Sequence, residues 1–116
     1  MRRDVYYYFQ KAYRRQLQQT SSFRFLADDD AQAAFVVRLA PPDTIAAVEY
    51  RCTTCMTLVA VCEHIAEELQ GSTLTRAKTV TAERILEQHP EIPKSRHSRA
   101  HLAAAAAQAA LENLSL

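Results

Sequence analysis

The sequence predicts an α+β fold: a three-stranded antiparallel sheet followed by a helical layer. Three observations predict it. Apolar residues recur with a period of two over about residues 22–52, and with a period of 3.6 from residue 55 onward. The strand-like runs are joined by short turns, which suit antiparallel neighbours rather than crossovers. No strand-like run interrupts the helical pattern after residue 55, so sheet and helices separate into layers. With 116 residues, 48% of them hydrophobic, the chain fits a single domain over 1–116 with a real core.

The elements follow in order. An N-terminal helix is expected over about 4–18, where Val5, Tyr8, Phe9, Ala12, Tyr13 and Leu17 lie near helical spacing with basic residues between them. Strands are expected over about 22–52. The first contains Phe23, Phe25 and Ala27 and is broken by the self-repelling Asp28-Asp29-Asp30. The second runs from Ala33 to Ala40 around Val36-Val37, and Pro41-Pro42-Asp43-Thr44 turns the chain. In the third, Ile45, Ala47 and Glu49 share one face, with Ala46, Val48 and Tyr50 on the other.

Helices are expected over about 55–114. Leu58, Cys62, Ile65 and Leu69 form one apolar stripe, which Glu63, Glu67 and Glu68 avoid. Gly71 sits where a helix needs a left-handed residue at its end. Ser72 or Thr73 can cap a short helix, Thr81 a second, and Ser95 or Ser98 a last one beyond Pro90 and Pro93. In that last helix Ala100, Ala103, Ala107, Ala110, Leu111 and Leu114 form the inner stripe.

Composition excludes several functions. A single glycine, Gly71, leaves no Gly-rich phosphate loop and no dinucleotide fingerprint. A net charge of +1 gives no overall field toward nucleic acid or membrane, and the basic, Tyr-containing stretch in residues 2–15 reads as a solvated helix face. No window is long and apolar enough for a membrane span, and no signal-peptide h-region follows Arg2-Arg3. Three clustered cysteines argue for reduced thiols, so a cytoplasmic protein, monomeric or a small homo-oligomer and not an enzyme, is expected.

The chemistry concentrates at Cys52-Thr53-Thr54-Cys55, on a strand-to-helix junction. A thiolate at a helix N-terminus is stabilised by unpaired N–H groups and the dipole. One C-x-x-C pair supplies half a zinc site, and no second pair exists. Cys62 reads as a core residue, and His64 and His89 as surface residues on helices. His97 and His101 share one helix face and can reach one metal. A thiol oxidoreductase of the thioredoxin kind is excluded, because no strand follows residue 55 to complete a βαβ unit.

From Ala33 to Leu111 the chain resembles the NifU/IscU-type iron–sulfur cluster scaffolds. Cys55 precedes Gly71 by the family's usual spacing, and Gly71-Ser72-Thr73-Leu74-Thr75-Arg76-Ala77 matches its short-helix pattern. Pro90 to Pro93 takes the place of its Pro segment, and His97-Ser98 falls where the family has His-Cys. The resemblance implies ligand positions at about Asp29-Asp30-Ala31, at Cys55 and at Ser98, so one of three thiolates is kept. It points to a metal site of Cys55, Cys52, His97 and Asp29, holding an iron–sulfur cluster or a single iron or zinc ion. The expected function is scaffold-like: metal or cluster bound through Cys55 and passed to a recipient, with cluster-assembly or recipient proteins as partners. The alternative is a ligand-poor relative that kept the fold as a protein-interaction module without metal.

Overall fold

A computed structural model describes residues 3–16, 23–28 and 30–114 of the chain. The element order is α1 (Val5–Gln16), β1 (Leu26–Asp28), β2 (Ala31–Ala40), β3 (Thr44–Cys52), α2 (Met56–Leu69), α3 (Leu74–Ala77), α4 (Ala82–Gln88), a 3-10 turn (Lys94–Arg96) and α5 (His97–Leu114). The strands form one antiparallel sheet in the order β1-β2-β3, as the change of apolar period predicts.

The sheet's inner face carries Ala33, Phe35 and Val37 from β2 and Val48 and Tyr50 from β3, all buried. One expectation about β3 fails in an informative way. Strict alternation sets Ile45 on the face opposite Val48 and Tyr50, yet Ile45 is fully buried among them. The register explains it. Arg38 pairs with Ala47 and Leu39 with Ile45, so Ala46 is an extra residue, a β-bulge that turns Ile45 inward.

Helix ends follow local chemistry. Gly71 has φ +85°, the left-handed conformation that a side chain disfavours, and it reverses the chain after α2. Its N–H donates to the Ile45 carbonyl at 2.8 Å, which ties the turn to the start of β3. Thr73 caps α3 by accepting from the Arg76 N–H, and Thr81 caps α4 by accepting from the Arg84 N–H. Neither Ser95 nor Ser98 caps α5, because the 3-10 turn runs directly into it at His97.

α2 lies at the centre of the helical layer, packed against β3, α5 and α1. A single apolar stripe therefore describes it poorly. Glu63 and His64, on positions expected to face solvent, are 0% and 6% exposed. Glu63 is matched by the Tyr50 hydroxyl, which donates to Oε1 at 2.8 Å. α5 buries Ala100, Ala103, Ala104, Ala106 and Ala107, whose small side chains let it lie close to β2 and α2. Among the described residues no helix is long and apolar enough to cross a membrane.

Candidate functional site

The junction carrying Cys55 is placed by one side chain. Thr53 continues the β2–β3 ladder past the end of β3: its N–H donates to the Gln32 carbonyl and its Oγ1 accepts from the Gln32 N–H, both at 2.9 Å. Because Gln32 lies two residues after Asp30, this pairing sets the tip between β1 and β2 beside the start of α2. Cys55 then occupies the N-cap of α2, half-buried, with extended backbone and a side chain that makes no capping hydrogen bond. Its carbonyl accepts the first helical bond, from the Val59 N–H at 2.8 Å.

α5 packs across β1 and β2 and brings Arg99, in its first turn, to the same place. The Arg99 guanidinium donates to Asp30 Oδ1 at 3.1 Å and lies near the Cys55 side chain. The pairing with Asp30, and after it that with Cys55, holds the guanidinium pKa above its ordinary value. Arg99 Nε is buried and makes no hydrogen bond. A cation paired with the carboxylate therefore lies beside the thiol at the position where the resemblance implies ligands.

The other sequence-derived candidates are engaged elsewhere. Cys52, at the end of β3, lies against Cys62 of α2, whose thiol lowers the Cys52 pKa. Cys62 is fully buried; burial first, and then its bond to Cys52, push its thiol pKa well up. His97 donates from Nε2 to the Ile92 carbonyl at 3.2 Å, which orients the ring toward the segment before α5. His101 is exposed on α5. Asp29 lies outside the described residues. Among the described residues, no three His, Cys, Asp or Glu side chains assemble into a metal-binding group.

These contacts test the fit of an iron–sulfur cluster. A [2Fe–2S] cluster takes about four soft ligands. The described side chains offer one half-buried thiol with a guanidinium beside it and one carboxylate paired with that guanidinium, a poor donor set for a cluster.

Sequence reasoning missed Arg99. The signal was present: a guanidinium lies one residue beyond the position of the third family ligand, on the first turn of the last helix. It also misplaced His64 and His89. Both are buried, at 6% and 2% exposure, because α1 closes over the outer side of α2.

The chain is matched by the sequence model of one family, described as the NifU-like N terminal domain, over residues 28–115. That span contains β2, β3 and α2 through α5, with the last residue of β1. No curated protein matches it.

Proposed function

The chain belongs to the family of NifU-like N terminal domains, scaffolds of iron–sulfur cluster assembly, and from that premise we propose that it is a ligand-poor member acting through protein contacts rather than by carrying metal. One observation carries this reading. Arg99 occupies the place between the β1–β2 tip and Cys55 with a positive charge, and a bound cation would have to displace it and break its pairing with Asp30. The partners are cluster-assembly or recipient proteins. Exposed apolar side chains at Met56, next to Cys55, and at Phe25 and Leu26 beside the tip offer contact area around the Arg99 clasp.

A second reading keeps Cys55 as a carrier of iron, zinc or a cluster, with Cys52, His97 and Asp29 as further ligands. It is favoured by the half-buried Cys55 side chain, which the helix does not use as a cap.

Anaerobic titration of the full chain with Fe(II) plus sulfide, and separately with Zn(II), decides between the two. The ligand-poor reading expects no stoichiometric uptake by the wild type. It expects uptake in the double variant Ser98→Cys with Arg99→Ala, which restores a thiolate and removes the cation. Stoichiometric wild-type uptake that is lost in Cys55→Ser would overturn it in favour of the carrier reading.

A further inference from the structure

The two edges of the sheet differ. At the β3 edge the chain after α2 is already paired: the Ile45 N–H donates to the Ser72 carbonyl and the Gly71 N–H to the Ile45 carbonyl, both at 2.8 Å, and Thr44 bridges Thr73. At the β1 edge Leu26, Ala27 and Asp28 are all exposed, as are Arg24 and Phe25 just before them.

The ladder fixes which backbone groups this second edge offers. Gln32 directs both its N–H and its carbonyl to Thr53, on the β3 side. Its pairing with Ala27 is therefore the kind without hydrogen bonds, and the bonds between β1 and β2 join Leu26 to Ala33 and Asp28 to Ala31. Across a planar trans peptide, N–H and carbonyl point in opposite directions. The N–H and carbonyl of Ala27 and the carbonyl of Phe25 thus point away from the sheet. The chain before β1 runs on in the same line. Phe23 and Phe25 have ring centroids 6.3 Å apart, the neighbouring places of an extended segment, and the Arg51 guanidinium lies 5.7 Å from the Phe23 centroid on the outer face.

We propose that this edge pairs with the same edge of a second copy of the chain, joining two three-stranded sheets into one. The outward groups set the register. Antiparallel pairing of Phe25 with Ala27 of the second copy uses all of them, and a two-fold axis perpendicular to the sheet passes through Leu26. Leu26, 39% exposed, then meets its own copy at a pair without hydrogen bonds, where side chains approach closest. The same register sets Arg24 opposite Asp28 of the second copy, twice by symmetry. Both side chains are exposed, and among the described residues neither has an ion pair. A parallel pairing would oppose like charges, so the charges select the antiparallel one. Edge strands are commonly guarded by charge against such pairing, whereas opposite signs on the two sides of Leu26 make this edge complementary to itself.

The helices leave room for it. α5 packs chiefly on β2 and only lightly on β1. In the joined sheet the two copies of β2 lie three strand spacings apart, about 14 Å, which exceeds the ~8–10 Å at which helices pack. The two copies of α5, on the same side of the sheet, therefore clear each other. Five residues from each copy bury much less than the ~1,200 Å² of a stable interface, so the dimer is weak and depends on concentration. The pairing engages neither Cys55 nor Arg99 and stands whether or not Cys55 takes metal.

Sedimentation velocity of the full chain, from about 10 µM to about 1 mM, is expected to show a reversible monomer–dimer equilibrium. Arg24→Asp and Asp28→Arg are each expected to weaken it roughly tenfold or more, because like charges then face each other. An equimolar mixture of these two variants is expected to recover wild-type strength, since two acidic positions then face two basic ones. Ala27→Pro removes an N–H that β2 does not use, so the fold is expected to survive and the dimer to be lost. A wild type that stays monomeric at about 1 mM would overturn the proposal. So would dimerisation unchanged in Arg24→Asp or in Ala27→Pro, or a mixture no stronger than its separate variants. Should Ala27→Pro fail to fold, the charge variants, whose side chains are exposed, decide alone.

Discussion

Replacing Tyr50 by Phe tests how the Cys55 junction is held. Tyr50 on β3 and Glu63 on α2 are both 0% exposed, and the hydroxyl donates to Oε1 at 2.8 Å. The segment between them, residues 51–62, contains Cys52, Cys55 and the first turn of α2, so this one bond closes the loop that presents the site. The substitution keeps the ring and its packing, and burial then Glu63 hold the phenol pKa well above its ordinary value, so the phenol stays protonated at every working pH. What is lost is a buried hydrogen bond to an acceptor that cannot turn to water, which costs about 1–3 kcal/mol. Glu63 keeps a further interaction, which holds the loss below the ~3–5 kcal/mol of a stranded buried charge. A value of about 2 kcal/mol is expected, read by urea unfolding as a lower midpoint with an unchanged slope. A double-mutant cycle with Glu63→Gln should return a coupling of about 1 kcal/mol or more. A loss under ~0.5 kcal/mol, or strict additivity in the cycle, would refute the argument that this pair clamps β3 to α2.

Three further outcomes are expected. Alkylation followed by mass spectrometry should modify half-buried Cys55 well before fully buried Cys62 in the native chain, and the reverse order would show that α2 is placed wrongly. Gly71→Ala meets no heavy atom within 4 Å, so only its φ of +85° is penalised. A loss of about 1–2 kcal/mol should appear in thermal unfolding, and a neutral result would deny the left-handed turn. Burial alone would raise the Glu67 pKa, but bonds from Tyr8 and Lys11 and the charge of Arg3 bring it below its ordinary 4.5. A depressed carboxylate stabilises the fold above its unfolded value and loses that contribution as pH falls through the folded one. α1 docking should therefore weaken on acidification below about pH 4.5, with the acid limb flattened in Glu67→Gln; an unchanged limb in that variant would contradict it.

The sequence by itself determined what local physics controls. The change of apolar period near residue 53 separates sheet from helices, and Gly71, Thr73 and Thr81 mark helix ends because their roles depend only on their own backbone neighbourhood. The family spacing from Cys55 to Gly71 and on to His97 is legible for the same reason, since it runs along the chain. Tertiary structure alone decided the rest. The bulge at Ala46 arises from a register with Arg38 and Leu39, which no period in β3 encodes. His64 and His89 read as solvent-facing because helical spacing does not say that α1 will cover the outer side of α2, and Glu63 because it does not say that Tyr50 of β3 will face it. Arg99 becomes the centre of the Cys55 site only when α5 crosses the sheet and sets a guanidinium between residues 69 positions before it and 44 positions before it. Charge and hydrogen bonding act through space over a few ångströms, and distance along the chain carries no measure of that separation until the elements have packed.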